Sequence, residues 1–388
     1  MEISKNPLFE HSRFSAGNIF LLSIYVLGNA LFVYKYSQNF SLDSTTSSLG
    51  YIAFAILMIL IIFRDYTIGM HKRTLNVAYF IFIVIAAIAL LLLMLHFDPH
   101  RIAVGRYPAL NDWISRLLNL DFPYISSTNP SGFPFLFFLA LPFYLFGDSG
   151  LFQITAFLIF AFLISRYHKD NPANRLRLSI LLIAAPIFLY EIAVRSELFS
   201  NMVIILLYLT LAEKLRQKTN LLPLMVAGII GGFLLSTRGV IFLIYIIFFG
   251  NLLGGSIRRL FIFATAALCG FILTLVPFMA WNWSYFVDSG PFAVQLSYIP
   301  SWLLALSVAV SIFCAFRIKS LRVAYLRITA VLFGVVLVAF IISIIKYGWI
   351  ESVLRDRFDI SYFCFTTPFL LLSMNLSPAR QSQTDQAL

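Results

Sequence analysis

The chain has 388 residues, of which 60% are hydrophobic and 12% charged, with a net charge of +11. That balance excludes a soluble globular domain of ordinary composition. The basic surplus does not point to nucleic acid, because Lys and Arg fall in short clusters between apolar runs, as membrane topology signals do.

The fold class expected is therefore an all-α polytopic membrane protein, a single integral-membrane domain over residues 1–388 with about twelve transmembrane helices. Runs such as 79–95 and 261–279 are apolar all round, as lipid-embedded helices are. The first apolar run follows a polar start and lacks a small-residue cleavage site, so no cleavable signal peptide is expected. Cys269, Cys314 and Cys364 sit inside apolar runs without metal-like spacing, which fits core packing.

In chain order, candidate spans fall at roughly 16–34, 48–63 and 76–96, then 150–166, 178–192, 199–212, 221–236, 239–254, 260–279, 300–316, 327–345 and 360–375. Between the third and fourth lies the longest segment without a clear span, 97–149. A loop of this length is functional or disordered, and this one is too rich in aromatic and aliphatic residues for disorder. Leu110, Trp113, Ile114, Leu117 and Leu118 share one helical face, with Asn111, Asp112, Ser115, Arg116 and Asn119 opposite. That pattern predicts an amphipathic helix along the membrane surface. A Pro/Gly break at Asn129-Pro130-Ser131-Gly132 leads into a second apolar run, 133–146, of a length expected for an interfacial or re-entrant segment.

Basic residues set the orientation. Lys5 and Arg13, then Arg64, Lys72 and Arg73, then Arg166, Lys169, Arg175 and Arg177 mark the first three loops on one side. Lys214, Arg216 and Lys218, then Arg258 and Arg259, then Arg317, Lys319 and Arg322 mark three more. Placing all six positions in the cytoplasm satisfies the positive-inside rule, provided 133–146 does not cross. The segment 97–149 then becomes one external, partly embedded module, with both termini inside.

Polar interruptions land on that external side. One runs from Tyr190 to Asn201, where Glu191 with Arg195 and Glu197 with Asn201 are each four apart and would pair if the stretch were helical. Another is Ser236-Thr237-Arg238-Gly239, and a third is the loop 346–359, with Glu351, Arg355, Asp356, Arg357 and Asp359. Ionisable groups near membrane depth are costly and mark functional sites. Arg238 has no acidic neighbour in sequence, so it should meet a phosphate or one of these acids. Asp98 follows an apolar helix directly, where the dipole disfavours its charge, so a structural role explains it poorly. Asp112 has a ready surface partner in Arg116. The five histidines show no metal-ligand spacing, and no Walker-type loop or Ser, His and Asp set is found.

The order of these parts resembles the C-type (GT-C) integral-membrane glycosyltransferases, over roughly residues 76–280. In that superfamily an apolar helix leads into an external loop with an acid, an amphipathic helix and a Pro-containing juxtamembrane helix ending in a Leu-Phe-Gly-like turn. Asp98 to Leu120 and Asn129 to Gly147 are similar. Arg195-Ser196-Glu197-Leu198 resembles the second acidic motif, and Thr237-Arg238-Gly239 the basic residue before glycine. The chain departs from the pattern near Gly105-Arg106, where the family's first acid would fall and none stands. The role then passes to Asp98 or Asp112, or the enzyme is atypical or inactive.

The resemblance implies transfer of a sugar, with inversion, from a polyprenyl-phosphate-linked donor to a glycan, lipid or protein acceptor on the external face of a bacterial inner membrane. Asp98 or Asp112 would be the base, and Glu197 would orient the acceptor or help hold a divalent metal ion. Arg238 would hold the phosphate, with Arg195, Arg106 and Asn201 as further substrate-binding candidates. Membrane lipids are expected partners. Rival readings are a transporter or lipid flippase, which would use midplane charges and internal repeats, and a polysaccharide polymerase.

Overall fold

The structure, a computed structural model, describes residues 15–63, 71–99, 106–125, 131–217, 220–253, 255–297, 299–355 and 357–376. Lys5, Arg13, Arg64, Arg101, Gly105, Lys218, Asp356 and the Asn129-Pro130 half of the break lie outside them. The described chain is helical and contains no strand. Its first helices are α1 (Ala16–Tyr36), α2 (Ser44–Phe63), α3 (Lys72–His96), α4 (Arg106–Leu118), α5 (Phe135–Leu145) and α6 (Leu151–Tyr167). There follow α7 (Pro172–Ile183), α8 (Pro186–Ala193), α9 (Leu198–Ala212), α10 (Leu221–Leu235), α11 (Ile241–Leu253) and α12 (Ile257–Trp281). The last are α13 (Trp283–Asp288), α14 (Pro291–Ser297), α15 (Ser301–Ala315), α16 (Leu321–Tyr347) and α17 (Thr367–Ser373).

Among the described residues, six helices are long and apolar enough to cross a membrane, and up to eight spans result if each of two bent pairs is one span. The chain is thus a multi-pass helical membrane protein. Helix length alone does not reach the expected twelve, because α6, α10 and α11 have only 17, 15 and 13 residues. α3 illustrates the lipid-facing surface: Phe80 and Leu92 are exposed while Leu90 and Met94 are buried. Water would penalise such an exterior, whereas hydrocarbon does not.

Two local devices shape the bundle. Pro186 has no N–H to donate and forces the preceding residue out of the helical region. Ala185 is accordingly extended at ψ 109°, and α7 and α8 meet at a 62° bend. α10 and α12 pack backbone to backbone through glycines. A Cβ on Gly232 would lie 2.1 Å from the Ala267 carbonyl oxygen, and one on Gly270 would lie 2.4 Å from that of Ile229. Only small residues permit so close an approach between membrane helices.

The segment 97–149 does contain an amphipathic helix, α4, and a second short helix, α5, of 11 residues. α5 is well short of the ~20 residues a straight span needs. Trp113, Tyr124 and Phe137 form one aromatic core with Phe278 and Phe286, seating α4 and α5 on the end of α12 and on α13. The Tyr124 hydroxyl donates to the Gly132 carbonyl at 2.9 Å. The chain entering α5 is then tied to the α10–α11 link, as Phe133 and Phe135 N–H donate to the Thr237 and Ser236 carbonyls at 3.2 and 2.9 Å.

Candidate functional site

The polar interruptions expected to be functional converge where the α8–α9 link, the α10–α11 link and the start of α5 meet. Glu191, Ser196, Glu197, Ser200, Asn201 and Thr237 are all at most 2% exposed, in a bundle whose interior is mostly apolar. Such a concentration is expensive unless the groups satisfy one another.

Arg238 supplies much of that satisfaction. Its guanidinium donates to the Glu197 carboxylate, with both side chains buried, and to the carbonyl and hydroxyl of Ser131 at 3.1 and 3.2 Å. Of the two partners the sequence allowed for Arg238, a phosphate or an acid, the structure supplies the acid. Gln295 closes the same corner: its amide donates to the Ser131 carbonyl, and its carbonyl accepts from Gly239 N–H, each at 2.8 Å. The Thr237 hydroxyl lies 3.0 Å from Asn201 Oδ1. Among the described residues, buried Asn201 Nδ2, Ser236 Oγ and Arg238 Nε have no hydrogen-bond partner.

Arg238, Gly239 and Gln295 form the polar end of a groove of about 440 Å³. Its walls are hydrocarbon, from Phe133, Leu243, Phe292, Leu304, Val336 and Phe365. A cation and two amide groups thus stand at the end of a channel that water would enter unfavourably.

The pairing expected of a helical Tyr190–Asn201 stretch is overturned. α8 ends at Ala193, and Arg195 adopts a left-handed backbone, φ 55°, a conformation costly for a residue with a Cβ. Its side chain turns away from Glu191, donating to the Met94 carbonyl at 3.1 Å and pairing with Asp148 at 3.1 Å. The guanidinium also lies over the Tyr107 ring at 5.1 Å. Gly150 leaves room for this side chain, since a Cβ there would come within 2.7 Å of Arg195 Cγ and Cδ. Asn201 is engaged by Thr237.

Glu191 faces Arg106 instead, at 3.8 Å. Arg106, the first residue of α4, donates to Ser196 Oγ at 3.3 Å, to Ser361 Oγ at 2.6 Å and to the Asp359 carboxylate. Tyr362 stacks on the guanidinium at 5.4 Å. Burial works to lower the basicity of Arg106, yet Asp359 and Glu191 outweigh it and raise the guanidinium above its ordinary value. Burial likewise works to raise the Asp359 carboxyl, but Arg106 and the bonds from Ser361 hold it below the usual carboxylate range.

Asp98 is exposed, two residues beyond the end of α3. The Met94 carbonyl that accepts from Arg195 belongs to the last turn of that helix, which brings the α3 terminus against the α8–α9 link. Asp112 stands apart from the cluster, on the outer face of α4, with Arg116 at 3.2 Å. Among the described residues no three His, Cys, Asp or Glu side chains gather as a metal-ligand set, and Arg238 already engages Glu197. These donors do not fit a metal site.

Sequence reasoning missed Asp148, Ser131 and Gln295 as site residues, and named Asp359 only as part of a charged loop. Asp359 carried a signal, an acid immediately before an apolar run. Gln295 and Ser131 carried none, because neutral polar residues in loops are ordinary.

Compared with protein-family models, curated proteins and solved structures, the chain matches none. The functional reading accordingly rests on its own residues.

Proposed function

We propose that the protein is a membrane glycosyltransferase, taking a sugar from a polyprenyl-phosphate-linked donor and passing it to an acceptor on the external face. The observation that carries this reading is the apolar groove with Arg238 at its polar end. A lipid chain needs such walls and its phosphate needs such an end, where a guanidinium offers paired donors. The resemblance of residues 76–280 to GT-C enzymes supports the same assignment, with twelve spans and the external module 97–149. A bacterial inner membrane is the setting this reading implies.

In the reaction an acceptor hydroxyl attacks the anomeric carbon as the bond from that carbon to the phosphate oxygen breaks. The electron pair leaves with the phosphate, and the hydroxyl proton passes to a carboxylate base. Arg238 offsets charge growing on the departing phosphate, and Glu197 fixes the guanidinium by holding one of its nitrogens. Asp98 is the preferred base, since it follows the α3 terminus that packs on the Arg195 link.

The test is release of polyprenyl phosphate from a polyprenyl-phosphate sugar by the purified protein in lipid nanodiscs, with cell-envelope acceptors added. Release that needs acceptor and is lost in Arg238→Ala supports the reading. Donor movement between leaflets without sugar transfer would replace it with a flippase, and chain elongation of a glycan would make the enzyme a polymerase.

A further inference from the structure

A second cavity, of about 420 Å³, opens at the far end of the same helices. The candidate site uses the starts of α6 and α9, through Asp148, Gly150, Glu197 and Asn201. The second cavity uses their ends, with Arg166 and Tyr167 from α6 and Thr210 from α9, followed by Glu213, Lys214 and Arg216. At 1.5 Å per residue, Gly150 at the N-cap of α6 and Arg166 near its end are about 24 Å apart, so the two openings are separate.

The lining is amphipathic and basic. Leu163, Leu321 and Leu372 give it a hydrocarbon wall, and the rim carries three cations against one carboxylate. Glu213 is spent on Arg216, at 2.8 Å. No ion pair joins Arg166 or Lys214 to an acid among the described residues. The negative ends of two helices account for a cation at each terminus. They do not account for an opening between those termini that is lined on one side by leucine.

We propose that this cavity is a binding site for a phosphate ester, with Arg166 and Lys214 meeting the phosphate and the leucine wall meeting an attached hydrocarbon chain. A basic pocket between helices at the membrane surface is where such a group is stabilised, by charge-assisted hydrogen bonds on one side and apolar burial on the other. Tyr167 and Thr210 place hydroxyls on the same rim.

Native mass spectrometry of the full chain in detergent tests the site, with dioctanoyl phosphatidylglycerol, dioctanoyl phosphatidylcholine and glycerol 3-phosphate as probes. The expected result is retention of phosphatidylglycerol, reduced about tenfold or more in Arg166→Gln with Lys214→Gln, the scale of losing charge-assisted hydrogen bonds. Arg166→Lys with Lys214→Arg should retain it, which separates loss of charge from loss of fold. Retention of glycerol 3-phosphate with the same dependence on Arg166 and Lys214 would uphold the phosphate site and assign it a water-soluble ligand. Retention indifferent to the Gln variants, or no retention of any of the three probes, would overturn the proposal.

Discussion

Arg238 and Glu197 form a buried ion pair between the α10–α11 link and the start of α9, and the arginine lines the apolar groove. Removing one partner leaves the other charge uncompensated, at a cost of ~3–5 kcal/mol for a buried pair. Arg238→Ala should therefore lower the unfolding midpoint strongly. Arg238→Met combined with Glu197→Leu should recover much of the loss, because an apolar pair of similar volume carries no desolvation cost. Additive losses in the double variant, measured by denaturant unfolding in detergent, would show that the two side chains are not coupled.

On donor binding, Arg238→Lys should retain part of the affinity that Arg238→Ala loses. A lysine keeps the point charge and forfeits the fork. Equal affinity in wild type and both variants would make the arginine purely structural.

The acids should separate by activity. Loss of a general base costs ~10²–10⁴-fold in rate. Asp98→Asn should show a fall of that size with the fold intact, whereas Asp112→Asn removes an exposed pair worth ~0–1 kcal/mol and should stay near wild type. A dead Asp112→Asn beside an active Asp98→Asn would exchange the two roles.

Asp359 should impose a pH dependence on stability. Its folded-state pKa is depressed, so its contribution is complete above the unfolded carboxylate value of ~3.9 and fades as pH falls through the folded value. Below about pH 4, unfolding midpoints should decline more steeply on acidification in wild type than in Asp359→Asn. Parallel slopes would mean that Arg106 does not sustain the Asp359 charge.

Topology can be read by cysteine labelling in a background lacking the three native cysteines. With 133–146 on the external side and 166–177 in the cytoplasm, a cysteine at Gly147 should react with an impermeant reagent from outside and one at Lys169 should not. Strong external labelling at Lys169 would invert the arrangement.

The sequence showed the helices and the site unequally, for a physical reason. α3 and α12 were plain because helices of 25 residues built around long apolar runs have few alternatives in water or lipid. α4 was plain because Leu110, Trp113 and Ile114 recur at helical spacing and are buried. Glu197 and Arg238 stood out as charges in apolar surroundings, and the structure joins them across 41 residues. The α8–α9 link was misread because spacing at i, i+4 assumes a continuous helix, and nothing local to Arg195 announces a left-handed backbone. What makes that conformation tolerable lies elsewhere, in Asp148, Met94 and Gly150. Gln295 and Ser131 were invisible, because their importance comes only from the chain they are folded against.

The contacts of Arg106 also set an order of assembly. Its partners Ser196, Asp359 and Ser361 are separated from it by 90, 253 and 255 positions. During synthesis the helices through α15 can therefore enter the bilayer while Arg106 and buried Glu191 still lack the Asp359 carboxylate and the Ser361 hydroxyl. Until that segment arrives the Arg106 guanidinium has the Glu191 carboxylate, at 3.8 Å, as its acidic partner, so a chain cut short before Asp359 would leave the cation partly compensated and its hydrogen bonds incomplete.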